Sequence, residues 1–146
     1  MRINIFKDYD NTNSRSSNLK ITMIGPVYPY KSGIAHYTGM LYRQLSKNHD
    51  VKLYSYSMQY PKFMYKKPQR DYEDDAVKID NVEYVLNSAN PFSWISLASR
   101  INKEKPDLVI MQWVHPYFAP CNSVIEMLLK KDIKIAYNCH NALPHE

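Results

Sequence analysis

Glycine is scarce, with three residues in 146. None of them builds G-x-G-x-x-G or G-x-x-x-x-G-K-[ST], so the dinucleotide fingerprint and the P-loop are both absent. Cysteine is scarcer still: Cys121 and Cys139 form no C-x-x-C or metal-type spacing. That argues against a disulfide scaffold and a zinc module and fits a reduced, cytoplasmic setting. No apolar run approaches the roughly 20 residues of a membrane span. The opening "MRINIFKDYDNTNSRSSN" has no signal-peptide core followed by small residues. No nucleophile elbow occurs, and no histidine–carboxylate set has helical ligand spacing, so neither that hydrolase site nor a metal is expected. The net charge of +5 and pI of about 9.1 are basic. No helix carries a Lys/Arg stripe, and no nucleic-acid partner is expected. An anionic small molecule or an anionic membrane surface fits the excess.

What is present reads as one α/β domain: 45% of residues are hydrophobic and 23% charged. Residues 1–19 read as a flexible lead-in, polar from Asp8 to Asn18, and residues 20–146 as the domain. "KITMI" is a β-branched run stopped by Gly25-Pro26. Ile34, Tyr37, Leu41 and Leu45, widened by Met40, recur at helical spacing and predict a helix from Gly33 to about Asn48 with that face inward. Strands are expected at 51–57, 82–87, 107–113 and 133–138. A second helix is expected to bury Trp94, Leu97, Ala98 and Ile101, with Pro106 beyond its end. A third, "SVIEMLLKKD", is expected to turn Val124, Ile125, Leu128 and Leu129 inward and to place Lys130 and Lys131 on its negative dipole end. "VHPYFAPCN" reads as a loop. The alternation predicts a doubly wound parallel sheet, with ligands outside the strand carboxyl ends.

Those ends are the loops at Gly25–Gly33, Ser57–Asp75, Trp113–Pro120 and Cys139–Glu146. Gly33 opens a helix, where free amides and the dipole favour an anion such as a diphosphate, or where glycine only permits a turn. His115 can donate to a hydroxyl or carbonyl oxygen, or it can cap and pack. His140 ends the next strand in the same way, and His145 follows. Glu146 and the Asp71–Asp75 acids read as solvated surface. Tyr60 to Arg70 combines tyrosines with Lys62, Lys66, Lys67 and Arg70. Surface packing of the rings is the first reading and contact with an acceptor the second. The stretch is too short and too Pro-broken for an amphipathic membrane helix.

Taken in order, "KITMIGPVYPYKSGIAHYTGMLYRQLSKNHDVKLYS", "KPDLVIMQW", "VHPYFAP" and "IKIAYNCHNALPHE" resemble the N-terminal domain of family 4 nucleotide-sugar glycosyltransferases with the GT-B fold. The resemblance runs from about Lys20 to the end of the sequence. It implies the N-terminal, Rossmann-like half of such a fold, incomplete here, and retaining sugar transfer from a nucleotide-sugar donor to a glycan or lipid-linked acceptor without a metal or other cofactor. By the same resemblance, His115 is the catalytic-loop residue that contacts the donor sugar. Ser32, Gly33 and His140 face the donor, with Ser32-Gly33 replacing the family's commoner double glycine. Tyr60, Lys62, Tyr65 and Lys66 face the acceptor. The diphosphate-gripping residues of the family belong to a second domain, so a C-terminal domain or a partner chain is expected to complete the cleft. The chain alone is expected to be inactive, in the cytoplasm or peripherally at the inner face of the membrane. The alternative expectation is a non-catalytic binding module or subunit of a split enzyme.

Overall fold

The computed structural model describes residues 18–65, 67–70, 72 and 78–140. The expected lead-in (but for its last residues), Lys66, most of the Asp71–Asp75 cluster, His145 and Glu146 lie outside them. Five strands, β1 (Lys20–Ile24), β2 (Asp50–Met58), β3 (Val82–Asn87), β4 (Leu108–Trp113) and β5 (Lys134–Cys139), form one sheet in the order β3-β2-β1-β4-β5. Every pairing is parallel. The helices are α1 (Gly33–Leu45), α2 (Pro91–Glu104) and α3 (Ala119–Leu128). The chain is thus a Rossmann-like doubly wound α/β fold, as the sequence predicts.

The strand pattern explains the layering. Along β1, Ile21 and Met23 join a small core with Val27, Leu53 and Ile79, against which Leu41 and Leu45 of α1 pack. Ile24 joins the larger core on the opposite face, with Val109, Met111, Leu97, Ile101 and Ile125 from β4, α2 and α3. Successive strand residues point to opposite faces, so each central strand serves both layers. α2 buries Trp94, Leu97, Ala98 and Ile101 as expected, starting at an Asn90 cap with Pro91 in its first turn.

Two helices differ from expectation. α1 buries Ala35, Thr38 and Gly39, while Tyr37 and Met40 are exposed. Small residues let this helix lie close to the sheet; a Cβ on Gly39 would sit 3.1 Å from Ile79 Cδ1. α3 starts four residues before Ser123, because the segment expected to be a loop is a 3-10 turn, Pro116–Phe118, running straight into the helix. It also ends at Leu128, with Leu129 buried as its cap and Leu128 itself exposed. Lys130 and Lys131 therefore lie beyond the last turn. Asn102 of α2 closes that end instead, donating to the Leu128 carbonyl (2.8 Å) and accepting from the Lys130 amide (2.9 Å).

Toward the amino ends of β2 and β3 the two layers are tied by charge. Lys52 Nζ lies 2.7 Å from Glu104 Oε1 and 3.2 Å from Glu83, and Arg100 reaches Glu83 at 2.6 Å. The Tyr54 hydroxyl donates to the same Glu104 oxygen at 2.7 Å. Burial works against the Glu104 carboxylate, but the hydrogen bonds from Lys52 and Tyr54 and the nearby cations outweigh it and lower its pKa. A depressed acid contributes stability that is present above its ordinary value of 4.5 and is lost as pH falls through the folded value. Glu104→Gln should cost about 1–2 kcal/mol at neutral pH, since the partly exposed cations are screened by solvent. It should also flatten the acid limb of the stability profile; urea denaturation at neutral pH and near pH 4 measures both.

Candidate functional site at the strand carboxyl ends

Strand order reverses between β1 and β4: one neighbour of β1 follows it through α1, and the other is reached only through α2. A crevice opens outside the carboxyl ends at such a point. At this point Gly25 of the β1 end meets Gln112 of β4. Gln112 is 1% exposed and crosses beneath the end of β1 so closely that a Cβ on Gly25 would lie 2.4 Å from its Cγ. Gln112 Oε1 is 2.7 Å from His140 Nε2, and the His140 ring stands edge-on to Tyr37 of α1 with centroids 4.9 Å apart. Burial pushes the His140 pKa below the usual value, favouring the neutral ring. With Nε2 donating to Gln112, Nδ1 is left as an acceptor. The Gln112 Nε2 is buried without a partner among the described residues.

The mouth of α1 stands beside this group. Ser32 spends its Oγ on the Ala35 amide at 3.0 Å as the helix cap. Gly33 has open space where a Cβ would go, and its φ is not in the left-handed region. No acceptor within the described residues takes the Gly33 or Ile34 amide. The need for glycine imposed by the chain's own packing therefore falls on Gly25, whereas Gly33 leaves a surface open.

His115 is exposed, and its Nδ1 accepts the Tyr117 amide at 3.1 Å, capping the 3-10 turn. The cap does not exhaust the ring. It places the proton on Nε2, which remains a donor. Tyr117 links this residue to the next group, since its ring lies 5.6 Å from Tyr60. Tyr60 packs on Phe118 at 5.1 Å and stacks on Tyr65 at 5.9 Å. Tyr60, Lys62 and Tyr65 line a cavity of about 530 Å³ with Tyr30, Lys67 and Arg70. Its wall is held in place by Gln69, whose side-chain amide takes the Tyr60 N–H at 3.1 Å and gives to the Tyr60 carbonyl at 2.9 Å. Arg70 bonds the Tyr30 hydroxyl at 3.1 Å and the Ser57 carbonyl. Lys66 lies outside the described residues.

The expected site residues thus form two groups, Ser32, Gly33 and His140 near the switch point and Tyr60, Lys62 and Tyr65 in the cavity, with His115 joined to the second through Tyr117. Among the described residues, no hydrogen bond or ring contact joins His115 to His140 directly. Gln112 and Tyr37 escaped the sequence reading, although a glutamine in the otherwise apolar run "LVIMQW" is a usable signal. A hollow of similar size between α2 and α3, lined by Asn102, Leu128 and Lys130, lies toward the strand amino ends, where Asn102 is already spent on closing α3. No group of three or more metal-ligating side chains occurs among the described residues. Cys121 is buried, its thiol pushed up to about 12 by burial, and Cys139 is exposed.

No protein-family model matches the chain, and neither does any curated protein.

Two outcomes are expected. Gly25→Ala should destabilise the fold by about 1–3 kcal/mol, because the atoms it meets are at the root of Gln112 rather than at a flexible tip. Gly33→Ala should be neutral or slightly stabilising. Chemical denaturation of the two variants separates them. Tyr37→Ala uncovers His140, so an NMR titration of the imidazole should move its midpoint upward toward the ordinary 6.5; an unchanged midpoint would show that Tyr37 does not shield the ring.

Proposed function

We propose that the chain forms the acceptor-side domain of a retaining family 4 glycosyltransferase, moving a sugar from a nucleotide-sugar donor to a glycan or lipid-linked acceptor. The observation that carries the reading is the grouping of Gly25, Gln112, His140 and Tyr37 at the switch point. There the Gly33 and Ile34 amides, without an acceptor among the described residues, open the same helix whose Tyr37 packs on a His140 ring held by Gln112. In this reading the positive end of α1 faces the donor diphosphate. His140 Nδ1 accepts from a donor hydroxyl, and His115 Nε2 donates to an oxygen of the sugar being transferred. Tyr60 and Tyr65 offer flat faces to an acceptor sugar ring, and Lys62, with Lys66 four residues further on, offers charge to an anionic acceptor group.

Sugar transfer requires the departing diphosphate to be stabilised and the two reactants to be held together. One helix mouth supplies part of the first requirement. The remaining cationic grip comes, in this reading, from a second domain or a partner chain, so the present residues bind donor weakly and do not turn it over alone. A millimolar titration of UDP- and GDP-sugars, followed by NMR, tests this. The Gly33 and Ile34 amides and the His140 ring should shift together, and shifts confined to the hollow between α2 and α3 would sink the reading.

A further inference from the structure

A lone exposed phenylalanine on a protein surface needs no explanation. The turn after β2 is different. Phe63 is 81% exposed, Met64 44% and Tyr65 45%, three apolar residues in a row. Exposed Lys62 and Lys67 bracket them. From Pro61 to Arg70 the sequence holds four cations and no acid, the next acid being Asp71. The turn is also built to stay in place. Pro61 is buried, its carbonyl accepts the Met64 amide at 3.0 Å and the Tyr65 amide at 3.3 Å, and Tyr65 stacks on the half-buried Tyr60.

A rigid root carrying an aromatic and a thioether tip, with ammonium groups at its base, matches the layering of an anionic bilayer surface. Apolar side chains enter the boundary of the acyl chains, lysines stay with anionic headgroups, and tyrosine sits between them. We propose that the Pro61–Tyr65 turn, with Lys62 and Lys67 flanking its apolar tip, docks this domain onto an anionic lipid surface. The sequence argues against an amphipathic helix here, and the docking element is instead a single turn inserted by its tip. The turn follows the carboxyl end of β2, so docking brings the strand-end rim and the Tyr60–Arg70 cavity to the headgroups. The proposal is independent of the transfer chemistry above, because it needs no donor and no turnover.

Cosedimentation of the full chain with sucrose-loaded vesicles tests it. Vesicles of phosphatidylcholine alone are compared with equimolar phosphatidylcholine and phosphatidylglycerol. The chain should pellet with the anionic vesicles and stay in solution with the neutral ones. Phe63→Ser with Met64→Ser should weaken partitioning by about tenfold or more. Lys62→Gln with Lys67→Gln should weaken it by about fivefold per lysine. All four side chains are exposed, so circular dichroism should show both variants folded. Equal binding by the serine variant would overturn the proposal, since the overall positive charge would then suffice. So would wild-type protein that ignores both vesicles, including the case where it self-associates and the serine variant is monomeric, which would assign the turn to a second copy of the chain.

Discussion

Where β1 ends, a hydrogen atom stands in for a side chain, and that vacancy lets Gln112 of β4 lie under Gly25. Much of the candidate site depends on this approach. Gln112 can reach His140 at the end of β5 only because it is not displaced by the neighbouring strand. His140 in turn meets Tyr37, so the first helix and the last described strand are held at one place although they are distant in sequence. A buried amide with one hydrogen bond made and its nitrogen unpartnered is costly in a core. It is the kind of local conflict that accumulates where a fold is shaped for binding rather than for stability.

The tyrosine-rich rim follows from the larger of the two cores. Phe118, fully buried, is reached because the 3-10 turn capped by His115 folds the chain back over the sheet. Tyr60 and Tyr117 rest on it, and Gln69 and Arg70 fasten the following segment to Tyr60, Tyr30 and Ser57. Packing and ligand contact are therefore not alternatives for these rings. One face of Tyr60 belongs to the core, while Tyr65 beyond it belongs to the surface. The same holds for His115, whose two nitrogens divide between holding the turn and remaining a donor.

Alternation of β-branched runs with helical periodicities was enough to read the layered parallel sheet, and the inward face of α2 could be named residue by residue. The same periodicity misjudged α1, because Tyr37 and Met40 fit an apolar stripe while the sheet selects the small residues Ala35, Thr38 and Gly39 beside it. Hydrophobicity measures what a residue would gain by burial, not how near two backbones come. The segment before α3 was misread for a related reason. Pro116 and Pro120 look like helix breakers, yet in the first turn they lack only a hydrogen bond that no residue there makes.

By itself, the sequence determined the fold class and the histidines, tyrosines and lysines that fall in the loops at the strand carboxyl ends. All of these depend on local pattern and on the handedness of parallel connections. Only the tertiary structure decided which glycine is sterically required, which nitrogen of each histidine remains for a ligand, and that Gln112 and Tyr37 belong with His140. Those facts depend on distances between residues far apart in the chain, set by how closely β1, β4, β5 and α1 pack together.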